Sequence, residues 1–267
     1  MKRSSHADGI QPRLINRFSN ICSPAISLTG MSQYKNHLDQ PISFPLPNWQ
    51  APPYPLREPM QGRFCRLEPL NPDLHGPSLF AACSLDLENR MWTYLPYGPF
   101  ETFEAYHNWM VATYTGNDPL CFTIIDQKLH RPVGMAAYLR ITPAAGSIEV
   151  GHVQFSPLLQ RTPAATEAMY LMMERAFSLG YRRYEWKCDT LNAPSRAAAQ
   201  RLGFQFEGIF RQAVVVKGRN RDTAWFSIID SEWPILQQAF TRWLNPDNFD
   251  QQGNQKSRLS DFQQATG

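Results

Sequence analysis

The sequence predicts an α/β domain with a mixed sheet, and two observations support that prediction. Segments with the two-residue alternation typical of strands are interleaved with segments whose apolar residues recur at helical spacing. The globular part, residues 60–245, has the usual length of one domain. With 43% hydrophobic residues, the chain also has enough apolar material to bury a core.

The elements follow from these periodicities and from the Pro and Gly residues that punctuate them. The first half predicts strands at 62–70, 120–126, 132–141 and 146–156, and helices at 73–85 and 102–114. The second half predicts a helix at 163–179, a strand at 182–188, a helix at 194–202, strands at 204–216 and 223–230 joined around KGRNRD, and a helix at 231–244. The strand–helix–strand unit over 146–188 is expected to be a right-handed parallel crossover.

Three flanking segments differ from this domain in composition. Residues 1–40 are basic and rich in serine, which suits either a mitochondrial targeting segment or a disordered tail. Residues 41–59 contain seven prolines and are expected to form an extended strap whose Phe44, Trp49 or Tyr54 pins it to the domain. Residues 246–267 are polar and rich in glutamine, and we expect them to fray.

Charge and cysteine content exclude several classes of function and partner. A net charge of +3, with Lys and Arg scattered along the chain, argues against a nucleic-acid partner. No run of eighteen apolar residues suggests a membrane span. The five cysteines form no C-x-x-C pair, so neither a disulfide framework nor a metal site is expected, and a reducing, cytoplasmic location is favoured.

The segment LLQRTPAATEAM (158–169) runs from a strand into a helix, and such a helix start is a place where anions bind. Thr162 and Pro163 form a preferred N-cap and first-turn pair, so proline here replaces an N–H group that would have no partner within the helix. The small Ala164 and Ala165 allow close approach to the backbone, and Arg161 adds positive charge. From these residues alone, a phosphate-binding loop and an ordinary capped helix both remain possible.

A second motif supports the phosphate-binding interpretation. Asn192 and Ser195 form N-x-x-S, followed by RLGF and then EG. The two motifs, in this order, resemble the GNAT superfamily of acyl-CoA-dependent N-acetyltransferases, most closely its Rim-type branch, over about residues 62–232. The family pattern Q/R-x-x-G-x-G/A is matched by Gln160, Pro163 and Ala165, with proline in place of the middle glycine.

The resemblance implies a fold, a co-substrate and a set of binding residues. The implied fold is a mostly antiparallel sheet of about six to seven strands, splayed between two parallel strands, with helices on both faces. The implied co-substrate is acetyl-CoA, without a metal. The implied contacts to it come from Val153, Phe155, Gln160, Arg161, Thr162, Pro163, Ala164, Ala165, Thr166, Asn192 and Ser195.

Two residues of one strand are candidates for the base that takes the amine proton. Glu149 lies in the middle of SIEVGHV, where a carboxylate is expected only beside a cleft or in an ion pair with an arginine such as Arg140. His152 has an ordinary pKa near neutrality, but strict alternation places it on the opposite face from Glu149. A bulge at Gly151 would remove that separation.

Ser195 is the candidate acid for the departing thiolate, the alternative being a simple first-turn serine. Many members of the family use a tyrosine four residues before the glycine of GF, but Ala199 occupies that position here. Asn192 is expected to contact the pantetheine arm. Cys188 is interpreted as a small core residue, not a nucleophile.

The acceptor site is the least defined by sequence. The loop RMWTYLPYGPF (90–100) supplies Trp92, Tyr94 and Tyr97 as candidate substrate contacts, and KGRNRD (217–222) is either its charged rim or a solvated turn. The acceptor is a small amine or a peptide N-terminus, and the protein a monomer or homodimer. The competing hypothesis is a non-catalytic acyl-CoA-binding module, favoured if Glu149 is held in an ion pair away from the gap.

Overall fold

The computed structural model describes residues 34–114 and 116–264, which fall into two units divided after Trp49. The described part of the first unit, residues 34–49, contains a small hairpin of β1 (Tyr34–Lys35) and β2 (Pro41–Ile42). An ion pair between Lys35 and Asp39 spans its turn. The candidate targeting segment lies outside the described residues, apart from its last few positions.

The second unit is organised around a single sheet, which has eight strands within the described residues. They are β3 (Met60–Gln61), β4 (Cys65–Pro69), β5 (Leu120–Asp126), β6 (Arg131–Thr142), β7 (Ser147–Phe155), β8 (Arg183–Asp189), β9 (Gln205–Val216) and β10 (Arg219–Ile229). Their order is β3-β4-β5-β6-β7-β8-β10-β9. The predicted mixed, mostly antiparallel sheet is confirmed, with one short strand more than expected.

The parallel pair at the centre of the sheet is β7 and β8. Their register runs from Ser147 opposite Arg183 to Val150 opposite Trp186, and the pairing stops there. Both strands continue beyond that point, β7 to Phe155 and β8 to Asp189. The two strands therefore separate halfway along their length, as the family resemblance implied.

Helices cover both faces of the sheet. They are α1 (Pro72–Cys83), α2 (Phe103–Thr113), α3 (Pro163–Ser178), α4 (Ala193–Arg201), α5 (Trp233–Trp243) and α6 (Leu259–Gln264). The first four of these helices are each capped by a side chain that accepts a backbone N–H, namely Asn71, Thr102, Thr162 and Asn192.

Alternate residues of the central strands feed two separate cores. On β5, Leu120 and Phe122 pack with α3, α4 and α5, whereas Cys121 packs with α1 and α2. On β6, Tyr138 and Ala137 divide in the same way. Because side chains alternate between the two faces of a strand, this division shows that α1 and α2 lie on one face and α3 to α5 on the other.

The buried carboxylate of Glu167 joins α3 to the beginning of β4. It accepts the backbone N–H groups of Arg63, Phe64 and Cys65 at 2.8, 2.6 and 2.8 Å. The chain passes so close that a Cβ on Gly62 would lie 2.5 Å from the Glu167 carboxyl carbon. Three donors converging on one carboxylate fix the entry of this strand.

Part of the proline-rich strap, residues 50–59, belongs to the second unit. Tyr54 donates its hydroxyl hydrogen to the Ile141 carbonyl at 3.3 Å, as expected for an aromatic that pins the strap. Arg175 of α3 donates to the carbonyls of Glu58 and Pro59 at 2.7 and 2.9 Å. Side chains of the domain thus satisfy backbone carbonyls that have no ladder partner.

Two expectations are corrected. Residues 246–264 do not fray, since Phe249 and Leu259 are buried, Asn248 donates to the Trp243 carbonyl at 2.9 Å, and α6 packs on α5. The hairpin tip is also shorter than KGRNRD. Lys217 and Gly218 both have positive φ and form a two-residue turn of the type that joins tightly twisted strands, so β10 already begins at Arg219.

Candidate active site

A cavity of about 250 Å³ lies where β7 and β8 separate. The two strands form its wall, the loop before α4 closes one side, and the 91–97 loop covers another. Its lining residues are Met91, Tyr94, Leu95, Pro96, Tyr97, Leu139, Arg140, Glu149, Val150, Gly151, His152, Val153, Trp186, Lys187, Cys188, Asp189, Asn192, Ser195 and Arg221. Candidate residues from distant parts of the sequence are therefore brought together.

A bulge in β7 brings Glu149 and His152 to the same cavity. Against β6, Gly151 pairs with Ala137 and Gln154 pairs with Met135, so two residues of β7 face one of β6. His152, inside the bulge, has a φ of 50°, in the left-handed region. The extra residue breaks the strict alternation, which would otherwise place the two side chains on opposite faces.

His152 is held by two tyrosines. Its Nδ1 lies 3.2 Å from the Tyr97 hydroxyl and 3.0 Å from the Tyr114 hydroxyl, and the Tyr97 ring stacks on the imidazole. Burial, with a smaller contribution from the positive charge of Arg140, lowers the pKa of His152 to about 4. The imidazole is therefore neutral at physiological pH, with Nδ1 occupied and Nε2 left as the second ring nitrogen.

Glu149 is buried and both of its oxygens contact cations. Arg140 on β6 binds it with two guanidinium nitrogens, one of them at 2.6 Å, and Lys187 on β8 approaches at 2.9 Å. Arg140 was the structural partner considered from the sequence, and this pairing is observed. Glu149 nevertheless lines the cavity, so the ion pair lies at the gap and not away from it.

Lys187 extends this ion pair across the sheet. Its ammonium lies 2.7 Å from Glu185 and 3.8 Å above the centre of the Trp225 ring. Arg183 then bridges Glu185 and Glu207. Three cations and three carboxylates alternate along this network, so its formal charges cancel.

Ser195 and Asn192 lie on the α4 side of the cavity. The Asn192 side chain accepts the Ser195 N–H at 3.1 Å and caps α4. The Ser195 hydroxyl oxygen accepts a hydrogen bond from the Trp186 indole at 3.0 Å. The Ser195 hydroxyl also hydrogen-bonds the Cys188 thiol, so the indole fixes the oxygen position and the thiol engages the hydroxyl hydrogen.

The loop before α3 adopts the expected helix start. Thr162 is the N-cap and accepts the Ala165 N–H at 3.2 Å, and Pro163 occupies the first helical position. Arg161 has a φ of 62°, and the Gln160 amide donates to the Phe155 carbonyl at 2.7 Å. Among the first-turn N–H groups, one is absent at Pro163 and another is taken by the cap, so this loop offers fewer free donors than a glycine version would.

The aromatic loop contributes differently from what the sequence suggested. Tyr94 and Tyr97 line the cavity, and the Tyr94 hydroxyl donates to the Leu191 carbonyl at 3.0 Å. Trp92 does not line it, because its ring is buried against Phe100 and Tyr106. Its carbonyl accepts from Lys217 Nζ at 2.8 Å, which ties the β9–β10 hairpin to this loop.

Sequence reasoning missed Tyr114, Lys187 and Arg221 as site residues. Tyr114 directly follows the apolar stripe of α2, and Lys187 alternates with buried Trp186 and Cys188, which are weak signals. Arg221 lies in KGRNRD, which the sequence leaves open as a solvated turn or a rim of the site, and the sequence does not predict its position on a strand.

The four cysteines within the described residues are free and buried: Cys65, Cys83, Cys121 and Cys188. Burial raises the thiol pKa of each of them, to about 12 for Cys83. Cys188 lines the cavity but remains a thiol at neutral pH. These values agree with the interpretation of Cys188 as a core residue.

The described residues contain neither a membrane-spanning helix nor a metal-binding cluster. No helix in residues 34–114 or 116–264 is long and apolar enough to cross a bilayer. The same residues contain no group of three or more His, Cys, Asp or Glu side chains arranged to hold a metal ion.

A mixed sheet that opens between two parallel strands, with a cavity at the opening and a helix N-terminus beside it, defines a class of acyl-CoA-dependent transferases. Residues 65–205 match the acetyltransferase (GNAT) domain. The chain therefore belongs to the GNAT family of N-acetyltransferases, which use acetyl-CoA.

Individual proteins support this assignment. A GCN5-related N-acetyltransferase from Brucella melitensis is 50% identical with a TM-score of 0.80, covering 82% of this chain and all of that one. An uncharacterised N-acetyltransferase, p20, from Bacillus licheniformis is 29% identical over 113 residues, which span 42% of this chain and 63% of the relative.

The Rim-type branch is represented at the level of the fold. A Salmonella typhimurium acetyltransferase, described as modifying the N-terminal serine of ribosomal protein L7/L12, has a TM-score of 0.56 at 19% identity. That match covers 64% of this chain and 99% of the other.

Proposed function

We propose that the protein transfers an acetyl group directly from acetyl-CoA to a primary amine in the cavity between β7 and β8. The observation that carries this proposal is the combination, at one gap, of a neutral histidine, a serine hydroxyl and unpaired strand backbone. When bound, acetyl-CoA supplies a thioester whose acetyl carbon becomes bonded to the amine nitrogen as the bond to sulfur breaks.

The cavity and the adjoining helix fit the two ends of this co-substrate. Beyond Val150, β7 has no ladder partner on the β8 side within the described residues, so alternate backbone groups of 151–155 face the gap. The N–H of Val153 or Phe155 is thus available to a carbonyl oxygen that gains negative charge. The pyrophosphate would lie at residues 160–166, at the positive end of α3.

His152 is our candidate for the base. Its neutral form dominates at pH 7, and the tyrosines at Nδ1 leave Nε2 to accept the amine proton. In this tautomer, Nδ1–H donates to one of the tyrosine hydroxyls, which fixes the orientation of the ring. The low pKa makes His152 a weak base, but it also keeps the imidazole neutral at pH 7 and therefore able to accept a proton.

Glu149 has a different role in this proposal. Because Arg140 and Lys187 engage both oxygens, accepting a proton there would break an ion pair in a buried setting. Glu149 instead holds the two cations at the cavity wall. As a positioning residue, it acts through Arg140 and Lys187 and not through contact with the amine.

Ser195 is the candidate acid. Its oxygen is held by the Trp186 indole, and its hydrogen, now bonded to the Cys188 thiol, would turn to the departing sulfur when acetyl-CoA is bound. Cys188 stays protonated, so no covalent acyl-enzyme is expected. Intact mass measurement after mixing with acetyl-CoA alone should therefore show no acetylated protein.

The test is the release of free thiol from acetyl-CoA with a panel of amines and short peptides. We expect His152→Gln to lower kcat by roughly two to four orders of magnitude with little change in acetyl-CoA affinity. Glu149→Gln should lose activity together with stability, whereas His152→Gln should lose activity alone. Retained turnover in His152→Gln would assign the base elsewhere.

A binding module without catalysis is the competing function. It would bind acetyl-CoA, as measured by calorimetry, yet release no thiol with any acceptor. Failure of binding would contradict both functions, because it would remove the basis for interpreting the α3 loop as a phosphate site.

A further inference from the structure

Arg221 is a charged residue of the cavity to which the mechanism above gives no role. It lies on β10 beside a register shift, two residues before Thr223, which pairs with Asp189. Its Nε donates to the Thr223 hydroxyl at 3.2 Å, so both side chains lie on the same face of the strand. The guanidinium is partly buried and lines the cavity.

The other cations of the cavity wall are already neutralised. Arg140 is paired with Glu149, and Lys187 is paired with both Glu149 and Glu185. Within the described residues, no carboxylate lies at ion-pair distance from Arg221; the nearest carboxylate of the wall by strand register, Asp189, accepts the Leu191 N–H at 2.8 Å.

An arginine in such a setting is suited to bind an anion. Withdrawing a guanidinium from water is unfavourable unless hydrogen bonds or a counter-ion replace its solvation. Its planar fork matches a carboxylate, with which it forms two parallel hydrogen bonds. Met91, Tyr94 and Leu95 line the same cavity and give it an apolar side.

We propose that the acceptor is a small primary amine that also carries a carboxylate, and that Arg221 binds this carboxylate. The inference rests on the proposed function and specifies its substrate. The apolar side at Met91, Tyr94 and Leu95 contacts the body of the acceptor, and the amine is directed towards His152. Arg221 thereby selects a small amine that carries a carboxylate over a peptide N-terminus, which has an amide at the position of the carboxylate.

The test compares acceptors that differ only in this group. Suitable pairs are an aminomethyl-benzoate with its carboxamide, in which the amine pKa is nearly matched, and apolar amino acids with their amides. A short peptide with an apolar N-terminal residue completes the panel. Thiol release gives kcat/KM for each, in the wild type, in Arg221→Gln and in Arg219→Gln, which removes the same charge from an exposed position of the same strand.

The wild type should prefer each carboxylate over its carboxamide by roughly ten- to hundredfold, the range of a charge-assisted hydrogen-bonded pair. Arg221→Gln should abolish that preference through KM, and Arg219→Gln should keep it. Equal use of both members of a pair, a preference for the peptide, or an unchanged preference in Arg221→Gln would overturn the inference and leave the proposed function standing.

Acetyl-CoA is a second source of anionic groups, and a separate measurement distinguishes it. We expect calorimetry to give the same acetyl-CoA affinity for Arg221→Gln and the wild type. A comparable loss of acetyl-CoA affinity would assign Arg221 to the co-substrate and overturn the inference. If no member of any pair is acetylated, the inference also fails, and if acetyl-CoA binding is absent as well, the proposed function fails with it.

Discussion

Replacement of Glu167 by glutamine should destabilise the fold far more than its single-atom change suggests. Its Oε2 accepts the N–H groups of Phe64 and Cys65, and its Oε1 accepts that of Arg63. Glutamine keeps one acceptor oxygen, so at best two of these bonds survive, now as neutral ones. The new NH₂ group then faces the N–H of Arg63, a donor against a donor.

The size of the effect follows from these contacts. Losing the charge at two bonds removes about 1 kcal/mol from each, and the N–H of Arg63 loses its acceptor at about 1–3 kcal/mol. The free energy of unfolding should fall by roughly 3–5 kcal/mol. For a unit of this size, that corresponds to a decrease in Tm of roughly 6–20 °C.

Urea unfolding followed by tryptophan fluorescence and far-ultraviolet circular dichroism measures this change. Glu101→Gln is the matched control, since Glu101 is exposed, and it should change the unfolding free energy by less than about 0.5 kcal/mol. A free energy of unfolding for Glu167→Gln within about 0.5 kcal/mol of the wild type would show that the three N–H groups do not depend on the carboxylate.

Three further predictions concern the site and its surroundings. The pKa of His152 falls from its ordinary value of 6.5 to about 4 in the fold, so protonation between these pH values favours the unfolded chain. The free energy of unfolding, measured by urea titration, should therefore decrease by about 2 kcal/mol from about pH 7.5 to about pH 5. In His152→Gln this part of the decrease should be absent. Pro163→Gly restores a backbone donor, and calorimetry should show acetyl-CoA binding several-fold tighter; weaker binding would contradict the proposed phosphate site. Gly203→Ala should lower the free energy of unfolding in urea by about 2 kcal/mol, since φ is 96° and the new Cβ would lie 2.5 Å from Leu236, and an unchanged midpoint would contradict both the backbone strain and the clash.

Much of the fold could be predicted because local signals and tertiary structure agree. Pro163 and Gly180 bound α3 at the positions that their backbone preferences require, and the parallel pair follows from one strand–helix–strand unit. The hairpin tip was misjudged because Arg219 to Asp222 are polar and partly exposed, so this part of β10 has no alternation to detect. The C-terminal segment was misjudged because Phe249 and Leu259 are widely spaced among polar residues.

The site was less accessible to sequence reasoning. The sequence indicates a possible bulge at Gly151, next to the one observed at His152, but the tyrosines that hold the imidazole lie 55 and 38 residues away in the chain. The ion pair between Glu149 and Arg140 could be anticipated from neighbouring strands. Its extension through Lys187 depends on the exact register of β7 and β8, which no local pattern specifies.

The burial of the cysteines has a practical consequence for the assay on which these proposals depend. A disulfide reagent that reports free coenzyme A also reacts with protein thiolates, and the thiols of Cys65, Cys83, Cys121 and Cys188 are both shielded and hard to ionise. The native enzyme should therefore give a flat background after any rapid reaction of Cys22, which lies outside the described residues. A slow rise in colour without acceptor would then report unfolding of the protein, and the same cuvette would count turnovers and record the loss of the native state.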